Sequence, residues 1–541
     1  MLRSRAKRAV CLSILSLLMS QVVPTRAESQ APAAGAGGSA TVLNVFYPEV
    51  WDPHIAGTIG PVAAFSPLYN QIVEFNPIKP TEVTGDLAKR WEVSPNGLVY
   101  TFFLHENVKW WDGKDLTAED VVFSLKRMIE AGKPRPRVGL LRPYIKSVDM
   151  VDRATVKIEL NFPAPAFLPL LAVDFMKIVP KHVVEGGVDI NLWENIVGSG
   201  PFKIKGARRG DSVQYERNPN YFKKGRPYLA ALNLVVINDK GTAAAAIKAG
   251  KIQMTTAING LEVDDVLKLE KDLKGRYSVY WQPPSNVEHF FGNVEREPWK
   301  DLRVIKALRL ATDRYELQRA FGSGYYLLGA PFPPGAWWGS SVEELNRRLG
   351  FNQSRAKDIE AAKALLKEAG YDPISKLGKR VLTAPTVLYW PDLAQLWAAQ
   401  MRKTLGLEIE IKLVDAPTAV NTWVSGNYDI GSWGYAYNID DPDDYATAIY
   451  GPGSRNFTRW KNPAFLTLLD QQRSELDREK RRQILRKMEE FLLTQEDPYV
   501  PLFWARRNYV MSDKVRTEAG RFVPAITAQV MLKWEHVWLE K

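Results

Sequence analysis

From residue 41 to the C-terminus, strand-type and helix-type patterns alternate along the chain. That interleaving restricts it to an α/β fold with mixed sheets. "TVLNVFY" (41–47) and "ATVKIELNFP" (154–163) read as strands, and "LEIEIKLVD" (407–415) as another. Between them the apolar period changes to that of helices. Thr117 is placed to cap a helix whose buried face is Val121, Phe123, Leu125, Met128 and Ile129. Ser354 and Gly370 bracket a second helix, and Ile484, Leu485, Met488, Phe491 and Leu492 stripe a third. "IVGSGPFKIKGARRGDSVQYERNPNYF" reads as a Gly/Pro turn followed by a hairpin. A chain of 541 residues exceeds what one hydrophobic core supports, so several domains are expected.

The N-terminus has a different character. Arg3, Arg5, Lys7 and Arg8 precede the apolar run "AVCLSILSLLMSQVV" and then "PTRAES". Charged start, apolar middle and small residues at positions 25 and 27 are the layout of a secretory signal peptide, 1–27. The apolar run is about 15 residues, short of the ~20 that span a bilayer. Cys11, the only cysteine, lies at the start of this run, whereas a lipoprotein signal carries its cysteine beside the cleavage site. The reading is an exported, periplasmic protein without disulfides, followed by a flexible linker at 28–40.

The formal charge of +11 does not argue for nucleic acid, because removing five basic residues with the signal leaves +6. "KPRPR" (133–137) is the one compact basic run, and its prolines make it read as a stiff solvated loop. Catalytic patterns are missing. No G-x-S-x-G or H-E-x-x-H occurs, and the five histidines are scattered. "GSG" (198–200) reads as a turn, since Pro201 removes an amide that a phosphate cradle needs.

The densest chemistry is "GYAYNIDDPDDYATAIY" (434–450), with Asp440, Asp441, Asp443 and Asp444. It lacks the alternating ligands and central glycine of a calcium loop, so no metal or cofactor is expected. Asp441, Asp443 and Asp444 suit the start of a helix, where carboxylates meet free N–H groups. Of the 17 tryptophans most should be core, with some walling a cleft.

Five segments in register resemble the family 5 extracellular solute-binding proteins, the peptide- and nickel-type receptors of ABC importers. They are "GDLAKRWEVSPNGLVYTFFLHENVKWWDGKDLTAEDVVFSLKR" (85–127), "VGSGPFKI" with "YERNPNYFKKGRPYL" (197–229), "EPWKDLRVIKALRLATDR" (297–314), "KALLKEAGYDP" (363–373) and "YDIGSWGYAYNIDDPDDY" (428–445). The resemblance implies a two-lobed, three-domain periplasmic binding protein with a hinge, not an enzyme. Its first domain would be 41–68, 198–286 and 512–541, its second 69–197 and its third 287–511. It would act as a monomer that encloses a small-molecule or peptide ligand and hands it to an inner-membrane ABC permease. In peptide-binding relatives an aspartate four residues before the proline pairs with the ligand's α-amine, and here that position is Asn438. The expected ligand-binding residues are Trp433, Tyr435, Tyr437, Asn438, Asp440, Trp51 and His54. Rival readings are a receptor for an oligosaccharide or other non-peptide solute and, from another class, an exported hydrolase.

Overall fold

The computed structural model describes residues 31–322, 324–351, 355–453, 455–521 and 533–541. The expected signal peptide and the Ser354 cap lie outside them. Among the described residues no helix is long and apolar enough to cross a membrane.

Three large sheets carry the architecture, as the interleaved patterns required. A mixed seven-stranded sheet runs in the order Tyr277–Trp281, Asn508–Ser512, Met254–Thr255, Ser39–Asn44, Ala231–Val236, Ser212–Arg217, Phe202–Arg208. Ser39–Asn44 is parallel to both of its neighbours, and the other pairings are antiparallel. An antiparallel four-stranded sheet is built from Ala88–Val93, Val99–Leu104, Thr155–Leu160 and Ile145–Asp152. These two sheets share one hydrophobic core, centred on Phe102, Phe167, Phe202 and Tyr215. The six-stranded sheet runs Leu327–Leu328, Tyr499–Ala505, Asn286–Gly292, Ile430–Ala436, Arg380–Pro385, Ile409–Val414.

Asn286–Gly292 is buried along its whole length between two neighbours. Its side chains feed two cores in alternation, as the period of a strand dictates. Phe290 packs with Trp397 and Leu502 on one face, and Val287 and Phe291 pack with Trp423, Tyr445 and Trp504 on the other. Most of the tryptophans serve this purpose, in line with the expectation from composition.

Two adjacent segments connect the lobes. The chain leaves the seven-stranded sheet after Trp281 and enters the six-stranded sheet at Asn286; it returns between Ala505 and Asn508. The crossings are bonded to each other, Gln282 N–H to the Arg507 carbonyl (2.8 Å) and Ser285 N–H to that of Ala505 (3.3 Å).

Several short-range patterns form as read. Thr117 caps the helix Ala118–Ile129 in a capping box with Asp120. Gly370 has a φ of +89° just beyond Ala356–Glu368, the left-handed stop that favours glycine. The 198–200 stretch, expected as a turn, is irregular backbone with a bend at Gly200, and it is closely packed: a Cβ on Gly198 or Gly200 would collide with the Pro67–Leu68 backbone. The linker expected at 28–40 needs correction over its described part. Gly35 N–H donates to the Pro227 carbonyl (3.1 Å) and Gly37 N–H to that of Tyr228 (2.8 Å), so the stretch is docked, and the strand starts at Ser39. Small residues read as slack, whereas Gly37 is small because Trp538 and Tyr228 crowd it.

Candidate ligand-binding site

The strand Ile430–Ala436 ends at the seam between the lobes, and the helix Pro442–Tyr450 begins there. Pro442 starts the helix at a position where its missing N–H costs nothing. Asp441 caps it, accepting the Asp443 N–H at 2.9 Å. The four aspartates then part ways. Asp440 stays exposed. Asp441 also receives Arg481 in a two-pronged ion pair, Nη1 to Oδ2 at 2.7 Å and Nη2 to Oδ1 at 2.6 Å. Asp443 is fully buried and accepts from Gln472 Nε2 (2.7 Å), Thr447 Oγ1 (2.9 Å) and Arg473 Nε (3.2 Å). It also accepts the Tyr144 hydroxyl, which comes from the opposite lobe. Asp444 accepts Asn438 Nδ2 (2.6 Å), the Asn438 N–H and the Tyr435 hydroxyl (3.3 Å). Burial pushes its carboxyl up to about 6, against those bonds and Arg137, which pull it down. The helix-start placement expected for all three holds, with Asp441 as the cap and Asp443 and Asp444 in the first turn; the last two also tie the loop to its surroundings as buried acceptors.

Across the seam lies Arg137. Its Nη1 donates to Asn438 Oδ1 at 3.4 Å and its Nε to the Gly57 carbonyl at 3.3 Å. The guanidinium lies between the rings of Phe175 and Tyr435, 5.5 and 5.7 Å from their centroids. Arg455, from the far lobe, donates to the same Gly57 carbonyl. The solvated-loop reading of 133–137 is therefore corrected. Lys133 and Pro134 are exposed, but Arg137 is buried and crosses the seam. Ile439 reinforces the contact by packing into the first lobe's core.

The expected site residues separate into two groups. Tyr435 and Asn438 meet Arg137 and Asp444 in this cluster. Trp433 is half-buried and stacks on Trp390, with ring centroids 6.3 Å apart and planes 6° apart. Tyr437 is buried, its hydroxyl on the Pro284 carbonyl (3.0 Å) beside the crossing. Trp51 and His54 are buried in the first lobe, where their partners also lie. The Trp51 N–H meets Asn191 Oδ1 (2.8 Å), and His54 Nε2 donates to the Lys177 carbonyl (2.8 Å). Burial lowers His54 to about 4, so its ring is neutral and serves the packing of that lobe. The loop they begin does reach the seam, through the Gly57 carbonyl. Arg137, Arg455 and Tyr144 were not expected at the seam, and Asp444 was expected only as a helix-start residue. The one available signal was the abrupt passage from "KPRPR" into the apolar "VGLL", which pulls the last arginine inward.

Among the described residues, one group of three potential metal ligands converges: Glu74, Glu535 and His536. Lys223 and Lys533 already neutralise it, at 2.8 Å and 3.3 Å from Glu74. It is a buried ion-pair network that joins the C-terminal segment to the first lobe.

The model for bacterial extracellular solute-binding proteins, family 5 middle region, matches residues 82–457. The chain belongs to that family. The oligopeptide-binding protein OppA of Bacillus subtilis is 26% identical over 453 residues, covering 80% of this chain and 81% of its own. Heme-binding protein A of Haemophilus influenzae is 28% identical over 470 residues, covering 81% and 82%. The crystal structure of Haemophilus influenzae OppA in complex with RPPGFSPFR superposes with a TM-score of 0.83 at 21% identity, covering 95% of this chain and all of that one. The resemblance read from five short segments is thus borne out, and with it the two-lobed α/β architecture. This family 5 protein carries, at the position expected to hold the amine-anchoring aspartate, an asparagine flanked by arginine.

Proposed function

We propose that this family 5 protein is the periplasmic receptor of an ABC importer, a monomer that closes its lobes over a small polar or peptide-like solute and delivers it to an inner-membrane permease. The observation that carries this is the seam. Tyr144, Arg137 and Gly57 from one lobe meet Asp443, Asn438 and Arg455 from the other, while among the described residues the chain passes between lobes only at two neighbouring segments. Such a hinge permits opening about one axis. The domains would be the seven-stranded sheet with its helices, the four-stranded insertion, and the six-stranded unit from 286 to 505. Binding without chemistry agrees with a family of solute-binding proteins and with a seam whose described residues hold no nucleophile–base pair. In small-angle scattering the mature chain should compact with a saturating solute drawn from a thermal-shift screen of peptides, sugars, opines and chelates. No compaction with any stabilising solute would contradict the receptor.

At the seam a free ammonium would meet an amide dipole and two guanidiniums, the one carboxylate of the cluster, Asp444, being already taken up by Asn438 and Tyr435. The charge-assisted bond it lacks is worth roughly 1.5–3 kcal/mol, about tenfold or more in affinity. Calorimetry with a short peptide and its N-acetylated form should therefore give equal or tighter binding for the acetylated one. Loss of binding on acetylation would mean that a carboxylate, with Asp440 the exposed candidate, anchors the amine. The stacked Trp390–Trp433 pair favours a second reading, an oligosaccharide or other flat non-peptide solute laid on the ring wall.

A further inference from the structure

Buried cations in this protein are otherwise well matched. Arg127 sits on Asp52, Arg481 on Asp441, and Lys177 on Asp174 at 2.9 Å. Arg314 has no ion pair among the described residues but is enclosed by four carbonyls, those of Gly329, Pro501, Arg309 and Gly350, at 2.8–3.0 Å. Arg137 and Arg455 break the pattern. They are 8% and 7% exposed, and among the described residues neither has a carboxylate within ion-pair distance. A guanidinium offers five N–H donors. Arg137 spends two on long bonds, Arg455 spends one, and both rely on the single carbonyl of Gly57. The two cations repel, and burial with that repulsion lowers Arg455 to about 9. The buried carboxylates of the adjoining helix start are already engaged: Asp444 by Asn438 and Tyr435, Asp443 by Arg473, Gln472 and Tyr144.

Resting on the receptor reading, we infer that the enclosed solute carries an oxyanion, carboxylate or phosphate, which binds between Arg137 of one lobe and Arg455 of the other. The planar forks of two arginines match such a group with parallel N–H···O bonds. Their placement also couples binding to motion. Two like charges from opposite lobes oppose closure, and an anion between them reverses the sign, so the ligand gains most of its contact in the closed form. The asparagine at 438 fits the same logic, because an aspartate there would partly neutralise the pair.

The test uses the mature chain, its Arg137→Gln and Arg455→Gln variants, Arg455→Lys, and a control at exposed Arg208. Sodium malonate and sodium phosphate are titrated against chloride at constant ionic strength, with the melting midpoint and the radius of gyration as readouts. The expected result is a rise in midpoint and a compaction in the wild type and the Arg208→Gln control. The half-effect concentration should increase at least tenfold in either seam glutamine variant and less in Arg455→Lys, which keeps the charge if the glutamine form does not fold. A response to malonate alone assigns a carboxylate, and one to phosphate alone a phosphate. Equal responses in wild type and variants, or none in the wild type, overturn the inference. A neutral solute that compacts wild type and both variants alike would overturn it while leaving the receptor reading intact.

Discussion

Arg481→Met should lower the stability of the protein by about 3–5 kcal/mol, the usual cost of stripping one partner from a buried ion pair. Asp441 is the group left behind. It holds the first turn of Pro442–Tyr450, and it receives both terminal nitrogens of Arg481, while Arg481 Nε braces the Gln472 carbonyl at 2.9 Å. Methionine fills the volume but supplies no donor, so a carboxylate would have to stay charged without its partner or take up a proton. Urea unfolding at neutral pH measures the loss. Asp441→Leu combined with Arg481→Met should recover much of it, because two apolar groups leave no orphaned charge and the residues touch. A single-variant loss below about 1 kcal/mol would mean that the pair is solvated and weak.

Asp444→Asn should gain on the wild type by roughly 2–3 kcal/mol as the pH rises from 4 to 7, at about 1.4 kcal/mol for each tenfold difference in proton affinity between the folded and unfolded chain. Burial sets the sign. It raises the folded carboxyl to about 6, above its value in the unfolded chain. Such a group contributes its full stability below about pH 4 and loses it as the pH climbs through 6. The groups facing it are Asn438, Tyr435, Arg137 and Asp443; Asn438 and Arg137 lower its affinity for the proton, and Asp443 raises it. Asp497 and Glu288, also raised by burial, are common to both proteins and cancel in the difference. A gap between the two unfolding curves that stays constant from pH 4 to 7 would show Asp444 to be ionised throughout.

What the sequence revealed and what it concealed divides along a physical line. Thr117, Gly370 and Asp441 act on neighbours within a few residues, so their roles are written in short patterns of donors, acceptors and allowed φ. Strand periods and the family segments are likewise local, and they delivered the lobes and sheets. Arg137 and Asn438 are 301 residues apart, and Tyr144 and Asp443 are 299 apart; contacts of that span leave no period. A charged side chain also looks the same in a string of letters whether water or a second lobe surrounds it. For that reason "KPRPR" read as wholly solvated, and the distant partners of Asp443 and Asp444 stayed hidden although their place at the helix start did not. Trp51 and His54 show how little a local pattern says of surroundings: an aromatic and an imidazole near a cleft-forming loop suggest a ligand, and both are buried within the first lobe.

The paired crossings bear on how the molecule is made. The six-stranded unit is one uninterrupted stretch whose ends are a single hydrogen bond apart at Ser285 and Ala505. Apart from Val263, Leu267 and Trp281, made earlier, its cores come from within it, so they can be completed as soon as residue 505 has emerged. The first lobe has no such independence. Its strand Ser39–Asn44 lies beside Met254–Thr255, which in turn pairs with Asn508–Ser512, and Leu539 docks on Gly37. The earliest part of the sheet therefore waits for the last residues of the chain. During synthesis, the half of the seam bearing Asn438 and Arg455 would exist before the half bearing Arg137 has finished folding.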